Sequence, residues 1–403
     1  MLNFIEIARA RDNLREVAHH TPLESSTTLS DLTGGLVWFK LENLQRTGSF
    51  KFRGAYNRIC QLTQEERVHG VIAASAGNHA QGVALASRLM GVEATIVVPI
   101  FAPLSKIEAI RGYGANLILH GIDYDEAEAR ALSIQSEQGS IFIHAFNDPA
   151  VIAGQGTVGL EILEDLPDLD VVIVGIGGGG LITGISTAVK TIRPNVKVIG
   201  VEPAGAAKVT ASLVADEPVT LDAVSTIADG LATRRVGEIA LTTIKELVDE
   251  VVTVDDDEIS EAILFLMERS KTVVEGAGAV SVAALLSTKV NIIGKKAVAI
   301  LSGGNIDVRL LDNIIERGLL RSGRALKFST ILPDRPGSLR DLLDILAEMR
   351  VNIDRVEHDR STPDIHISDS EVQLKVDTRG PEHVAQILER LEQKNYQILQ
   401  HWP

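Results

Sequence analysis

The chain alternates short apolar runs with longer stretches of helical periodicity between about Gly35 and Leu320. Six of the apolar runs are rich in β-branched residues and end in small or turn-forming residues, which is typical of buried parallel strands. These runs are GVIAAS, ATIVVP, NLILH, DVVIVGIG, VKVIGVEP and AVAILSGG. The pattern predicts a doubly wound α/β fold, in which the carboxyl ends of the strands border the ligand crevice.

The pattern changes after a basic connector that contains glycine, Arg321 to Arg324. Leu326 to Leu332 is predicted to be a strand, and Pro336 to Met349 a helix with proline in its first turn. The strand-like runs NIDRVEHD and SEVQLKVD follow, then a helix from Pro381 to about Lys394 and a last strand, YQIL. This βαββαβ order predicts a ferredoxin-like module that forms a separate domain.

Composition excludes several classes of function. The 403 residues suffice for two or three folding units, and the net charge of −15 argues against a nucleic-acid partner. Cys60 is the single cysteine, so no internal disulfide can form, and a reducing cytoplasm is expected. The N-terminal MLNFIEIARARDNLREV predicts an amphipathic helix and not a signal peptide. No stretch is long enough to span a membrane, and no Cys/His spacing predicts a metal site.

Lys51 lies in the stretch TGSFKFRGAYNRI, where it is predicted to fall in the first turn of a helix. The positive end of the helix dipole and the neighbouring Phe50 and Phe52 both disfavour a charged ammonium there. One interpretation is a neutral amine that acts as a nucleophile. The other is a solvated lysine beside aromatic core residues, and this stretch alone leaves both open.

The loop GIGGGGLITG, Gly175 to Gly184, follows an apolar strand and precedes a helix. Consecutive glycines allow backbone N–H groups to converge on a phosphate at a helix N-terminus. A tight turn with close packing is the alternative. Gly175, Gly177 and Gly180 also match the GxGxxG dinucleotide pattern, and Glu202 lies near the expected ribose-binding position, so a nicotinamide-dependent dehydrogenase is a rival hypothesis.

Two further loops lie where apolar strands end. In SAGNHAQG, Ser75 is predicted to cap the following helix, and His79 is either a catalytic base or a structural histidine bonded to backbone. SGGN, from Ser302 to Asn305, is either a second glycine-bearing anion site or an N-cap followed by a flexible turn. Glycine-bearing anion sites together with a neutral lysine suit a cofactor that carries a phosphate and an aldehyde, because lysine forms a Schiff base with an aldehyde.

The motifs SFKFRGA, SAGNHAQG, GGGGL and SGGN, in this order and spacing, resemble the fold-type II pyridoxal-phosphate enzymes, and most closely the threonine dehydratases (threonine ammonia-lyases). The resemblance covers about Thr21 to Leu320. It implies a tryptophan synthase β-like core of two doubly wound α/β subdomains over residues 1–321, with a smaller subdomain, roughly 48–150, inserted in the larger. ILPDRPGSL and VNIDRVEHD resemble an ACT domain, which implies a regulatory module over residues 326–403.

The resemblance also implies roles for the motif residues toward pyridoxal 5'-phosphate. Lys51 is expected to form the Schiff base and to act as the catalytic base, and Phe50 to pack against the pyridine ring. Asn78 is expected to bind the ring 3-oxygen, and Ser302 to meet the pyridine nitrogen. The phosphate is expected to bind the backbone N–H groups of Gly177, Gly178, Gly179, Gly180 and Leu181.

Two ligand-binding loops follow from the same resemblance. The substrate carboxylate is expected at Ser75, Ala76, Gly77 and Asn78. An amino-acid effector, isoleucine or valine, is expected at Asp334, Arg335, Pro336 and Gly337 of the ACT domain. The resemblance further implies a homo-oligomer, either a dimer or a tetramer.

The implied reaction is the conversion of L-threonine to 2-oxobutanoate and ammonia, with side activity that converts L-serine to pyruvate, in amino-acid metabolism such as isoleucine biosynthesis. Related serine racemases have a serine where this chain has Ala76, and alanine has no proton to transfer, so racemisation is expected to be poor. Those relatives bind a divalent metal through a glutamate, matched by Glu202, and an aspartate, replaced here by Lys208. The cationic residue argues against divalent binding.

Two alternative hypotheses stay open, one for the whole chain and one for the C-terminal module. The chain is an amino-acid sensor if the core has lost its chemistry, although the intact Lys51 argues against this. The C-terminal module is only an oligomerisation element if it binds no effector, because no catalytic residue lies in it.

Overall fold

The computed structural model describes residues 2–363 and 365–402, and the chain divides into two compact units. The first unit ends at Asp307 and the second begins at Val308. The predicted domain boundary, between residues 321 and 326, lies one helix further along the chain. No helix within the described ranges is long and apolar enough to cross a membrane.

The first unit contains two sheets. Its strands are β1 Leu23–Ser25, β2 Leu36–Lys40, β3 Val71–Ala74, β4 Ala94–Val98, β5 Asn116–Leu119, β6 Ile141–Phe142, β7 Val171–Gly175, β8 Lys197–Pro203, β9 Glu250–Val254 and β10 Lys296–Ile300. The larger sheet has the order β1-β2-β10-β7-β8-β9, and only β1 pairs antiparallel. The smaller sheet, β5-β4-β3-β6, is parallel and comes from the chain between β2 and β7. The predicted parallel α/β architecture is confirmed.

One predicted strand differs in its surroundings. NLILH forms β5, but this strand lies at the edge of the smaller sheet, and none of its four residues is buried. An edge strand pairs on one side only, so an apolar run does not by itself show that a strand lies inside a sheet. The prediction that this strand is buried is therefore wrong.

Thirteen α-helices surround these sheets in the described part of the first unit. They are α1 Phe4–Leu14, α2 Thr27–Thr33, α3 Lys51–Cys60, α4 Gln64–His69, α5 Asn78–Met90, α6 Leu104–Gly112, α7 Tyr124–Gln138, α8 Pro149–Asp165, α9 Gly180–Ile192, α10 Lys208–Ala215, α11 Glu238–Leu247, α12 Asp256–Phe265 and α13 Gly276–Leu286. The predicted N-terminal helix is confirmed as α1. Its start is fixed by a capping box, in which Asn3 and Glu6 satisfy each other's backbone N–H groups.

Helix α8 packs against both α3 and α9 through glycines. A Cβ on Gly154 of α8 would lie 2.6 Å from the Cα of Gly54 in α3. A Cβ on Gly184 of α9 would lie 2.5 Å from the backbone nitrogen of Gly156 in α8. The three backbones therefore touch directly, and α8 fixes the distance between the N-terminal ends of α3 and α9.

The second unit is an antiparallel sheet with helices. Its helices are α14 Val308–Arg321, α15 Ser338–Glu348 and α16 Pro381–Gln393, and its strands are β11 Ala325–Pro333, β12 Asn352–Asp359, β13 Asp369–Asp377 and β14 Ile398–Trp402. The sheet order is β12-β13-β11-β14. From β11 onward the order of elements is βαββαβ, so the predicted ferredoxin-like module is confirmed.

Two boundaries in this unit differ from the prediction. Pro336 lies before α15, because Gly337 (φ +99°) caps the helix and Ser338 begins it. The last strand begins at Ile398 and not at Tyr396, because the chain first turns through Asn395, whose φ is +64°. The backbone N–H of Tyr396 still bonds Leu391 O of α16, at 3.0 Å.

Candidate active site

Lys51 is the first residue of α3, as the sequence predicts. The chain enters this helix through Thr47 and Gly48, both with positive φ, and a Cβ on Gly48 would meet Asn305 Oδ1 at 2.7 Å. The half-buried Lys51 places Nζ 5.2 Å from the centroid of the Phe50 ring and donates a hydrogen bond to Ala145 O at 2.9 Å. A freely solvated lysine does not fit this geometry.

Burial lowers the pKa of the Lys51 amine to about 8, against the opposing attraction of the Glu275 carboxylate. Loss of hydration penalises the ammonium more than the neutral amine. At neutral pH on the order of a tenth of this amine is therefore neutral, compared with less than a thousandth for an unperturbed lysine. The site thus supplies a nucleophilic and basic nitrogen.

The glycine loop lies between β7 and α9, as predicted. Residues 177–180 are buried, and α9 begins at Gly180 after Gly179 (φ +94°), with no side chain capping the helix. Within the described ranges no acceptor is paired with the backbone N–H groups of Gly177, Gly178 and Gly179. Buried and unpaired donors at a helix N-terminus form a site for an anion.

The loop has no room for side chains. A Cβ on Gly178 would lie 2.2 Å from the ring of Phe146, and one on Gly179 would lie 2.4 Å from Cβ of Ala240. Phe146 also follows Ala145, whose carbonyl oxygen binds the Lys51 amine. The segment at residues 145–146 therefore brings the lysine and the glycine loop to one site, although they are far apart in the sequence.

A chain of hydrogen bonds centres on Asn78, the first residue of α5. Its Nδ2 donates to Glu275 Oε1 at 2.5 Å, and its Oδ1 accepts from Asn305 Nδ2 at 2.6 Å. The same Asn305 Nδ2 donates to Thr47 O at 2.7 Å, beside the entry to α3. The loops SAGN and SGGN are thereby held against the Lys51 turn, and the orientation of the Asn78 amide is fixed.

Ser302 lies at the end of β10 and is buried, with its hydroxyl donating to Ala277 O at 3.1 Å. Its carbonyl oxygen accepts the backbone N–H of Phe50 at 3.1 Å. SGGN is therefore an ordered part of the site and not a flexible turn.

The SAGN loop differs from the prediction in its capping. Gly77 and not Ser75 is the N-cap of α5, and the Ser75 hydroxyl accepts the backbone N–H of Gly77 at 3.1 Å. Ser75 is thus too early in the chain to cap the helix. A Cβ added to Gly77 would meet no atom within 4 Å, so the loop borders open space beside the half-buried Ala76.

His79 is structural. Its Nε2 lies 2.7 Å from Ile143 O, so this nitrogen carries the proton and donates. Burial, followed by the charge of Lys51, lowers the His79 pKa to about 3, which keeps the ring neutral at physiological pH. The interpretation of a histidine bonded to backbone is the one the geometry supports.

Glu202 is not placed to bind a ribose. Its fully buried carboxylate accepts the backbone N–H groups of Val209 and Thr210, at 2.8 and 2.9 Å, and so holds the first turn of α10. Lys208 Nζ lies 3.6 Å from the same carboxylate. With every oxygen engaged inside the protein, the dinucleotide hypothesis loses the acidic residue on which it depends.

The predicted effector residues lie in the second unit, in the loop between β11 and α15. Asp334 pairs with Arg360 at 3.0 Å, and its backbone N–H bonds Ser368 O at 2.8 Å. The remaining members of this loop are Arg335, Pro336 and Gly337. The loop is ordered by these contacts.

Sequence reasoning missed Glu275, Ala145 and Phe146. Glu275 precedes the helical run GAGAVSVAALL, and an acidic residue at a helix start is a recognisable signal. It is buried, and burial raises its pKa to about 6. Ala145 and Phe146 carried no such signal, because their contributions are a carbonyl oxygen and a packing surface.

The residues fit a cofactor that bears a phosphate and an aldehyde. The glycine loop offers unpaired N–H donors at a helix N-terminus, and the low-pKa amine of Lys51 bonds the segment at residues 145–146 that packs against this loop. No group of three or more His, Cys, Asp or Glu side chains in the described residues could hold a metal ion.

Comparisons with known proteins agree with this geometry. Residues 14–303 match the family model of the pyridoxal-phosphate dependent enzymes, and residues 328–393 match the ACT domain. The chain is 50% identical to an L-threonine ammonia-lyase of Thermotoga maritima and 45% identical to one of Geobacter sulfurreducens, each over 99% of both proteins.

Solved structures show the same core. The structure of maize serine racemase has a TM-score of 0.75 at 38% identity and covers 79% of this chain and 98% of its own. The structure of threonine deaminase isoform 2 of Solanum lycopersicum has a TM-score of 0.74 at 41% identity, and it covers 78% of this chain and 96% of its own. The chain therefore belongs to the pyridoxal-phosphate dependent enzymes and carries a C-terminal ACT domain.

Proposed function

We propose that the chain is a threonine ammonia-lyase, which converts L-threonine to 2-oxobutanoate and ammonia and also acts on L-serine to give pyruvate. The observation that carries the proposal is the half-buried amine of Lys51, held between the Phe50 ring and the segment that borders the glycine loop. The two relatives named L-threonine ammonia-lyase, similar over the whole chain, support the choice of substrate.

The cofactor would be held by groups already in place. The N–H groups of Gly177, Gly178, Gly179, Gly180 and Leu181 would bind its phosphate, Phe50 would pack on the ring, Asn78 would bind the ring 3-oxygen and Ser302 would meet the ring nitrogen. When bound, pyridoxal phosphate supplies an aldehyde that captures amines covalently and a ring that accepts electrons from the α-carbon.

Lys51 is assigned the proton transfers. Its amine is neutral often enough at physiological pH to remove the α-proton of the substrate, and the departing β-hydroxyl would take up one proton and leave as water. The loop of Ser75, Ala76, Gly77 and Asn78 would receive the substrate carboxylate, because it borders open space at the N-terminal end of α5. The bound carboxylate would then fix the orientation of the α-carbon relative to the Lys51 amine.

Ser302 is uncharged, and this favours elimination. A hydroxyl cannot stabilise a protonated ring nitrogen as a carboxylate would, so the ring accepts less negative charge. Loss of the β-hydroxyl of threonine or serine would then be favoured over return of a proton to the α-carbon.

Serine racemisation is a second candidate, because the maize serine racemase structure shares the core fold. Racemisation needs a proton donor on the face of the α-carbon opposite Lys51. Position 76 is an alanine, which has no proton to give. We therefore assign elimination and not racemisation.

The ACT domain is assigned the regulation. The proposed effector is a branched-chain amino acid, isoleucine or valine, at residues 334–337, and the catalytic and regulatory parts are placed at residues 1–321 and 326–403. The proposal includes a homo-oligomer, a dimer or a tetramer, in the cytoplasm, with a role in amino-acid metabolism such as isoleucine biosynthesis.

Absorption and product formation test the proposal together. The purified protein should absorb in the visible, and addition of L-threonine should change that spectrum and release 2-oxobutanoate. Lys51→Ala should release none, although it can still hold cofactor through the glycine loop. Lys51→Arg is the matched variant, since it keeps the cation but cannot lose its proton. Near-normal 2-oxobutanoate from either variant would contradict the assignment.

A further inference from the structure

Lys208 is a buried cation that the proposed reaction does not use. It begins α10 and has no accessible surface. Its Nζ donates to Ile176 O at 2.9 Å and to Leu231 O at 3.0 Å, and it lies 3.6 Å from Glu202 Oε1. Two backbone carbonyls and a carboxylate around one small cation form a coordination shell like that of a monovalent metal ion. Burying a charge of this kind costs desolvation free energy, so its presence calls for a functional explanation.

The position of these partners suggests the purpose. Ile176 O and the N–H of Gly177 belong to the same peptide group, so the bond from Lys208 polarises the amide whose N–H faces the phosphate site. A hydrogen bond accepted at the carbonyl strengthens the donor at the other end of the amide. Lys208 also adds positive charge directly behind a loop that has no charged side chain of its own.

The second carbonyl fixes the other side of the loop. Leu231 ends a short turn that packs against Gly177, where an added Cβ would lie 3.0 Å from Gly230 O and 3.2 Å from Leu231 Cα. Lys208 therefore ties the strand end that precedes the glycines to the turn that covers them. Without the cation, the carbonyl oxygens of Ile176 and Leu231 would lose this donor, and the buried Glu202 carboxylate would keep only its bonds from Val209 and Thr210.

We propose that Lys208 is a positioning residue for the cofactor phosphate, an internal cation that orders and polarises the glycine loop, and that its removal leaves a site for potassium ion. The assignment depends on the cofactor and not on which amino acid is the substrate. It goes beyond the proposed reaction, which works through Lys51.

The test measures the affinity for pyridoxal phosphate by titration of the visible absorption band, at equal ionic strength in potassium chloride or choline chloride. In choline, Lys208→Ala should bind the cofactor about tenfold or more weakly than the unaltered protein, as when a group that orients ligands is removed. Potassium should restore most of the affinity of Lys208→Ala, because it fits the vacated oxygen shell and choline does not. The unaltered protein should show no difference between the two salts.

Lys208→Met and Lys40→Ala complete the test. Methionine fills the lysine volume without a charge, so Lys208→Met should bind the cofactor weakly in both salts. Lys40 is the matched control, because it is equally buried and bonds Thr21 O at 2.7 Å and Glu161 at 2.8 Å, outside the cofactor site. Lys40→Ala should lower the thermal midpoint without a potassium-dependent change in cofactor affinity.

Three outcomes would overturn the proposal. The first is a cofactor affinity of Lys208→Met equal to that of the unaltered protein. The second is a cofactor affinity of Lys208→Ala that is the same in potassium chloride and in choline chloride. The third is a potassium-dependent gain in cofactor affinity in Lys40→Ala as large as that in Lys208→Ala. Should Lys208→Ala be too unstable for the titration, the thermal midpoint in each salt replaces it, and an equal midpoint in both salts counts against the proposal. Loss of turnover with threonine alone bears on the reaction and not on this assignment.

Discussion

The proposed fate of L-serine depends on the methyl side chain at position 76. Ala76 is half-buried in the SAGN loop, beside the open space at Gly77. We expect the protein to convert L-serine to pyruvate with little D-serine, and Ala76→Ser to increase D-serine formation several-fold, because general acid–base groups typically contribute on the order of a hundredfold or more. Chiral chromatography of the products measures this.

Ala115→Ser, which adds a hydroxyl to another half-buried alanine, is the control for Ala76→Ser. It should leave the ratio of D-serine to pyruvate unchanged. If the unaltered protein forms D-serine as fast as pyruvate, another group supplies the proton on the second face.

Glu275 makes stability depend on pH in a defined direction. Burial raises its pKa from 4.5 to about 6, so the folded state holds the proton more tightly than the unfolded state. The stability linked to this group is fully present below about pH 4.5 and is lost as the pH rises through about 6. The shift corresponds to roughly 2 kcal/mol of unfolding free energy at pH 8.

Glu275→Gln should therefore unfold at a higher temperature than the unaltered protein at pH 8, with the difference nearly absent at pH 4.5. Glutamine keeps an oxygen that accepts from Asn78 Nδ2, so the contact survives. Thermal unfolding of the cofactor-free proteins measures both points, with Glu24→Gln at an exposed position of β1 as the control. A difference in unfolding temperature that does not change with pH would show that Glu275 is not the group whose pKa controls this stability.

At the residue scale, the sequence predicted the functional residues whose signal lies in their immediate neighbours along the chain. The turn TGSF places Lys51 at a helix start, and this follows from neighbouring residues alone. Glu275 was missed because its meaning comes from Asn78, which lies 197 positions away in the chain. The role of Glu202, as the group that holds the first turn of α10, was likewise missed because it depends on where that helix begins.

Helix α8 packs directly against the two helices, α3 and α9, that carry Lys51 and follow the glycine loop. Gly184→Ala would place a Cβ 2.5 Å from Gly156 N and 2.6 Å from Ile152 O, both backbone atoms that cannot rotate away. We expect a loss of about 1–3 kcal/mol of unfolding free energy from overpacking, and weaker cofactor binding because α9 carries the glycine loop. Thermal unfolding and cofactor titration measure the two effects.

Gly112→Ala is the matched change for Gly184→Ala, since Gly112 also lies in a helix but has no atom within 4 Å of an added Cβ. It should be neutral or slightly stabilising, because alanine favours helices. Equal effects of the two changes would show that α8 and α9 can move apart at little cost.

At the element scale the type of each structure was easier to predict than its surroundings. The six apolar runs became parallel strands, because β-branched residues in short runs fit a pleated sheet. The run NLILH did not reveal that β5 lies at an edge, because strand order is decided by pairing over long distances. Pro336 was placed in a helix that begins two residues later, after the left-handed Gly337.

At the scale of the whole molecule, the chain carries an ACT domain after the catalytic core, and this predicts a response to an effector. Isoleucine or valine should change the threonine activity of the full chain by on the order of 5- to 150-fold, since coupling energies between sites are typically 1–3 kcal/mol. A chain that ends at Arg324 should lose this response. Rates over a titration of each amino acid provide the measurement.

Asp334→Ala and Arg379→Ala separate effector binding from general damage to the domain. Asp334 lies in the proposed effector loop and pairs with Arg360, whereas Arg379 lies just before α16. Only Asp334→Ala should shift the concentration of half-maximal response. If an effector acts equally on the full and shortened chains, the ACT domain is not its receptor.

The glycine contacts of α8 also constrain the order in which the chain folds. Lys51 and Gly177 are separated by a long stretch of sequence, and α8 lies between them, so neither helix start has its final place until both have docked on α8. Closing a loop of this length costs chain entropy before any contact repays it. We therefore expect cofactor capture to follow the docking of α3 and α9 on α8 during folding.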